Sequence, residues 1–181
     1  MRTVYLAGFD VFRADAVAHG ERLRALAARH GFEGLYPLDN TAPAGLSGPE
    51  LARWIYRANV ALIERADLVM ANLNPFRGAE PDSGTAFEVG YAVALGKPVW
   101  GYTRQAGTLI EQTRAVPAPV DPAAGDPAAG DPAAGSPARH VDAQGYTVED
   151  FGLNLNLMLA CSARIVVGGP DDCLARMAEA G

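Results

Sequence analysis

Asp67-Leu68-Val69-Met70-Ala71-Asn72-Leu73 is apolar through its centre, with no alternation between wet and dry side chains. A strand with one solvated face alternates, whereas a strand buried on both faces does not. The stretch therefore reads as a central strand of a parallel sheet. Val4-Tyr5-Leu6-Ala7 upstream, and Val99-Trp100-Gly101-Tyr102 and Arg164-Ile165-Val166-Val167 downstream, have the same character. Gly34-Leu35-Tyr36, stopped by Pro37, adds a shorter one.

Helical patterns fill the intervals. Ala14 to His30 places Leu23, Leu26 and Ala27 on one face and ends at Gly31. Ser47-Gly48-Pro49-Glu50 has the form of a capping box with Pro in the first turn, opening a helix to Arg65 that aligns Leu51, Trp54, Ile55, Ala58 and Leu62. Ser83 to Leu95 and Asp171 to Ala180 supply two more. This alternation predicts an α/β architecture: a flavodoxin-like, doubly wound, five-stranded parallel sheet with helices on both faces. Ligands of such sheets bind outside the carboxyl ends of the strands, here the residues following Ala7, Tyr36, Leu73 and Tyr102.

Composition narrows the function. The chain has 181 residues, 49% of them apolar, enough for one domain with a real core. Fifteen Lys and Arg against twenty-one Asp and Glu give a net charge of −6, with no basic cluster. That argues against nucleic acid and anionic membranes as partners. Cys161 and Cys173 make neither a disulfide framework nor a zinc site, and His19, His30 and His140 lack the spacing of a metal site or a catalytic triad. The opening apolar run is too short for a signal peptide and no run suits a membrane span, so the expected location is cytoplasmic. Asp121-Pro122-Ala123-Ala124-Gly125 recurs at 126–130 and 131–135. A five-residue period has neither a helical nor a strand stripe, so residues 115–139 are expected to be a flexible insertion in a single 1–181 domain, without chemistry.

The densest polar run, Asn72 to Ala92, leads from the third strand into the next helix. Glu88 lies in the second turn of that helix among Ala86, Phe87, Val89, Gly90 and Ala92. Such a carboxylate is either turned to solvent or held in a cleft. In a cleft it is a poorly hydrated anion suited to attack a cationic carbon. Asp82 stands at the helix start, as an N-cap or as an acceptor for a ligand hydroxyl. Gly78 and Gly84 permit close backbone approach. Gly-Lys-Ser/Thr is missing and the first strand leads to Gly8-Phe9-Asp10, which excludes a P-loop and a dinucleotide fingerprint. Tyr5, Phe9 and Phe12 flank the first loop, to stack on a flat ligand or to join the core. Asn59 interrupts an amphipathic helix, and Asn154 and Asn156 alternate with Leu153, Leu155 and Leu157.

Tyr5-Leu6-Ala7-Gly8, Pro37-Leu38-Asp39-Asn40, the run Pro75-Phe76-Arg77-Gly78-x-Glu80-Pro81-Asp82-x-Gly84-Thr85-Ala86-Phe87-Glu88-Val89-Gly90, and Asn156-Leu157-Met158 together resemble the nucleoside 2-deoxyribosyltransferase family. The resemblance implies exchange of the base on 2′-deoxyribonucleosides, with free nucleobases as co-substrates, hydrolysis as a side reaction, and neither cofactor nor metal. It assigns the nucleophile to Glu88, its orientation to Tyr5 and the sugar 5′ end to Asp82. Gly8, Phe9, Phe12, Asn59, Phe76, Gly84 and Asn156 are expected to bind substrate. Asn156 matches an asparagine lent to a neighbouring subunit, which implies a homodimer or a higher homo-oligomer. A carboxylate at Asp82 accepts from a neutral 5′-hydroxyl and repels a phosphate, favouring nucleosides over nucleotides. Asn59 stands where many members carry an aspartate, and an amide is no general acid near neutral pH. Solvent protonation of the leaving base at N7 would then favour purines. The alternatives are a 2′-deoxynucleoside 5′-monophosphate N-hydrolase and a non-catalytic nucleoside-binding module. Gly84-Thr85-x-x-Glu88 also matches part of the cytokinin-type phosphoribohydrolase motif, whose preceding Pro-Gly-Gly is absent.

Overall fold

A computed structural model describes residues 1–118 and 139–181; the Asp-Pro-Ala-Ala-Gly repeats lie outside the described residues. In chain order the strands are β1 (Arg2–Ala7), β2 (Phe32–Leu35), β3 (Leu68–Asn72), β4 (Val99–Thr103), β5 (Val116–Ala118), β6 (Arg139–Val141), β7 (Thr147–Val148) and β8 (Arg164–Val167). The helices are α1 (Ala16–Arg29), α2 (Gly48–Arg65), α3 (Ser83–Ala94), α4 (Leu109–Thr113), α5 (Leu157–Ala160) and α6 (Pro170–Glu179). Two compact units emerge, one comprising Met1–Arg104 with Ser162–Gly181 and the other Gln105–Cys161. The segment set apart from the main sheet is thus longer than the repeat-bearing insertion of the sequence reading.

The first unit holds the five-stranded sheet, in the order β2-β1-β3-β4-β8 with every pairing parallel. This is the flavodoxin-like doubly wound order. The central strands are dry on both faces because each face meets helices. Val4, Leu6, Leu68 and Met70 join Leu23 and Ala27 of α1 and Cys173, Leu174 and Met177 of α6 in one core cluster. Tyr5 has the opposite parity and points to α3, where it meets Glu88. Successive side chains of one strand therefore serve the core and the candidate site in turn. No helix of the described residues is long and apolar enough to cross a membrane.

The largest boundary differences from the sequence reading follow β1 and β2. The chain after β1 makes a 3-10 turn over Phe9–Phe12, so α1 begins at Ala16 instead of Ala14. Strand β2 runs Phe32–Leu35, and Tyr36 caps a second 3-10 turn, Pro37–Asp39. The Asp39 carboxylate accepts from Tyr36 N at 2.9 Å. It also pairs with Arg24 of α1.

Gly20 sits inside α1, where glycine ordinarily weakens a helix. A Cβ there would lie 2.3 Å from Cδ1 of the buried Tyr36 ring. Gly20→Ala is therefore expected to lower stability by a net of about 1–3 kcal/mol, overpacking outweighing the gain in helix propensity. A urea midpoint that stays put or rises would show that the ring can move aside.

The second unit carries the antiparallel sheet β5-β6-β7. Helix α4 starts at a reciprocal cap, Thr108 N donating to Glu111 Oε2 at 2.8 Å and Glu111 N to Thr108 Oγ1 at 3.4 Å. Asn154 is structural, since its Nδ2 donates to the Gln105 carbonyl at 2.8 Å.

Candidate active site

Glu88 and Tyr5 form the centre. Tyr5, wholly buried on β1, donates its hydroxyl to Glu88 Oε1 at 2.6 Å. Glu88, half-buried on α3, lines a cavity of about 420 Å³ in the first unit. Gly8, Val11 and Phe12 reach this cavity from the loop after β1. Leu38 and Asn40 come from the turn after β2, Trp54, Ile55 and Asn59 from α2, and Asp82, Gly84 and Thr85 from the start of α3. The carboxyl ends of β1 and β2 thus supply two of its walls, where a doubly wound sheet places its ligands.

Asp82 caps α3 and also lines the cavity. Its Oδ2 accepts from Thr85 N at 2.9 Å and from Thr85 Oγ1 at 3.1 Å, capping α3. Its Oδ1 makes no hydrogen bond to the described residues, and the residue lines the cavity. Burial pushes the Glu88 carboxyl up from 4.5 to about 7; the Tyr5 hydroxyl opposes this by bonding the anion, and the Asp82 charge adds to it. Tyr5 is itself raised far above the usual phenol range, by burial and then by the charge of Glu88, so it remains a donor. None of the residues lining the cavity is basic. Two carboxylates in an otherwise largely apolar hollow favour a ligand that develops positive charge and disfavour a phosphate.

A chain of side-chain bonds ties the strand ends beneath the cavity. Asn72 Nδ2 donates to the buried Asp10 at 2.8 Å. Asn74 Nδ2 donates to Asn72 Oδ1 at 2.7 Å, and Arg104 N to Asn74 Oδ1 at 2.9 Å. His19 Nε2 lies 3.1 Å from the other Asp10 oxygen, which gives this histidine a structural partner. Gly8 is required by close approach: a Cβ would lie 2.8 Å from Asp10 Oδ2 and 2.9 Å from Asn72 Cβ.

The aromatic residues divide. Phe9 stacks on Phe76 at 4.8 Å between centroids, and Phe12 on Phe76 at 5.4 Å. The Arg77 guanidinium covers Phe76 and Phe12 at 4.7 and 5.2 Å, from a backbone held at φ 54°. Of the three rings only Phe12, 58% exposed, faces the cavity; Phe9 and Phe76 back it. Asn59 and Gly84 stand on the cavity wall. Asn156 belongs to the second unit, where it caps α5 by accepting from Met158 N at 3.0 Å and donates to Glu149 Oε1 at 2.7 Å.

Neither Trp54 nor Asp10 is named as a site residue from the sequence, and Leu38 and Asn40 are quoted only within the Pro37–Asn40 motif. Trp54 was indistinguishable from core on an amphipathic stripe. Leu38 and Asn40 follow the carboxyl end of β2, a position the fold marks out. Asp10 carried no signal, because its partner Asn72 is 62 residues away.

Known proteins resemble this chain in sequence and fold. A 2-desoxiribosyltransferase from Leishmania mexicana is 31% identical, covers 99% of this chain and 98% of its own, and superposes with a TM-score of 0.72. A conserved protein from Enterococcus faecalis V583, 22% identical over 100% of this chain and 99% of its own with a TM-score of 0.60, shares the fold. An uncharacterized protein of Schizosaccharomyces pombe is 35% identical over 115 residues, 62% of this chain and 54% of that protein, so the chain spans about half the length of that relative. Residues 4–158 match the nucleoside 2-deoxyribosyltransferase family, and the chain belongs to that family.

Proposed function

We propose that this protein transfers 2-deoxyribose between the nucleobases of 2′-deoxyribonucleosides, with Glu88 as nucleophile. Glu88, held by Tyr5 on the wall of a cavity that no basic residue lines among the described residues, carries this reading. Glu88 Oε2, the oxygen not bonded to Tyr5, attacks C1′; the C1′–N bond breaks and its electron pair leaves with the base, which takes a proton. The transition state is oxocarbenium-like and is stabilised by the carboxylate beside it. A nitrogen of the incoming base then attacks C1′, loses its proton and frees Glu88. Two inversions retain the anomeric configuration. Water in place of the second base gives hydrolysis, which the apolar walls suppress. Asn59 cannot supply the proton, so solvent protonates the base at N7 and purines are preferred. Asp82 Oδ1 accepts from the 5′-hydroxyl. Asn156, as the family resemblance implies, completes the site of a neighbouring subunit in a homo-oligomer.

Deoxyinosine incubated with free adenine should yield hypoxanthine and deoxyadenosine on chromatography; absence of both products defeats the proposal. Asp82→Ser tests the sugar contact, since serine still caps the helix. The variant should lose roughly tenfold in kcat/KM for deoxyinosine, accept dIMP better, and shift the acid limb of its profile to lower pH, because the Asp82 charge raises Glu88. A wild-type preference for dIMP over deoxyinosine would assign the protein to monophosphate hydrolysis instead.

A further inference from the structure

Arg77 is exposed, yet its backbone lies at φ 54°, a conformation that glycine adopts freely and arginine does not. No hydrogen bond or ion pair ties its side chain to the described residues. Its guanidinium lies instead 5.2 Å from the centre of the Phe12 ring and 4.7 Å from that of Phe76. The backbone beneath it is anchored. Phe76 N donates to the Glu80 carbonyl at 2.9 Å, closing the loop that carries Arg77, and the chain continues through Pro81 into Asp82, the cap of α3. Phe12 belongs to a different loop, the 3-10 turn after β1. Arg77 therefore clasps the loop after β1 to the loop after β3. The ring it holds is a cavity wall that is 58% exposed, and the other ring stacked on that wall is Phe76.

A cation over a ring face attracts it, and a planar guanidinium stacks on it as well. We propose that Arg77 is a positioning residue that holds Phe12 on the cavity wall and thereby sets how the deoxyribosyl–Glu88 intermediate divides between an acceptor base and water. This rests on the transferase reading of the same cavity. Once the first base has left, C1′ is bonded to Glu88 and two nucleophiles compete for it. A base nitrogen or a water oxygen forms the new bond to C1′. The C1′–O bond to Glu88 breaks, its electron pair returns to the carboxylate, and the nucleophile gives up its proton to solvent. The two competitors differ in what they need from the wall. A base needs a flat apolar surface to be held in line with C1′, whereas water needs only access. A Phe12 ring free to swing outward weakens the hold on the base and admits water, so both changes move the division in one direction.

Deoxyinosine is turned over with saturating adenine by wild type, Arg77→Gly and Arg77→Asn, and free deoxyribose and deoxyadenosine are quantified by chromatography. Glycine and asparagine both accept a positive φ and neither carries a cation, so the loop keeps its conformation while the clasp is lost. Each variant should raise the ratio of deoxyribose to deoxyadenosine roughly fivefold, the size of one cation–π contact at a part-exposed site. A loss of folded protein or of total activity lowers both products alike and leaves the ratio where it was. In a Phe12→Ala background, where the ratio is already raised, adding Arg77→Gly should change it by less than about twofold. An unchanged ratio in both single variants of an exchanging wild type overturns the inference and leaves the transferase reading intact. A shift in Arg77→Gly that is absent from Arg77→Asn traces the effect to backbone freedom and also overturns it, as does a full further shift in the Phe12→Ala background. Wild type that forms no deoxyadenosine at saturating adenine overturns the transferase reading itself, and the division with it.

Discussion

Glu88→Gln is expected to lower base exchange by at least about 10³-fold, because an amide oxygen is too weak a nucleophile to replace the carboxylate. The substitution keeps the size of the side chain and leaves an acceptor for the Tyr5 hydroxyl, so the loss reports chemistry and not collapse of the cavity. Stability should move in the opposite direction, with a pH dependence whose sign follows from the carboxyl. In the folded chain Glu88 is raised from 4.5 to about 7. Between those values the folded protein binds the proton more tightly than the unfolded chain, so the contribution of Glu88 is fully present below pH 4.5 and is lost as pH rises through about 7. Glutamine does not titrate. The variant should therefore match wild type near pH 4 and exceed it by about 2 kcal/mol at pH 8, a figure reduced for the partial exposure of the group. Thermal melts at the two pH values check this; a variant less stable than wild type at pH 8 would place the carboxylate in a well-solvated setting.

Tyr5→Phe carries the second large effect. Tyr5 is buried and does not line the cavity, so under the proposed mechanism its effect on activity is expected to pass through Glu88. Its hydroxyl bonds the ionised carboxylate and lowers the proton affinity of Glu88. Removing it leaves Glu88 without that partner and raises its pKa above about 7, so a smaller fraction is ionised at neutral pH. A hydrogen bond to a charged group amounts to about 1.5–3 kcal/mol, which predicts a loss of roughly 10–100-fold in kcat at pH 7 with KM little changed. The acid limb should move to higher pH and part of the activity should return near pH 9. A pH profile that superimposes on wild type would leave Tyr5 as a core residue alone.

The legible part of this protein was the part written in local chemistry. Five apolar runs separated by amphipathic stretches specify a doubly wound sheet, since dry strands demand helices on both faces. The observed order β2-β1-β3-β4-β8 is one of the few that satisfy that demand together with the handedness of parallel crossovers. Asp82 as a cap was legible for the same reason, because a cap is made within four residues. Glu88 was ambiguous on pattern, and only the family motif around it tipped the balance toward a cleft. What stayed hidden depends on pairs distant in the chain. Asp10 with Asn72 and Gly20 against Tyr36 are such pairs, and neither has a period or a motif. Trp54 was hidden differently: an apolar stripe on α2 serves the core and the cavity wall alike, and spacing does not separate them.

The most direct measurement of the central claim is the intact mass of the protein after rapid quenching with deoxyinosine and no acceptor base. The expected result is an added mass of one deoxyribosyl group, mapping to the peptide that contains Glu88, absent from Glu88→Gln and discharged when adenine is added. Wild-type protein that exchanges bases while the adduct never forms, or forms equally in Glu88→Gln, would contradict it.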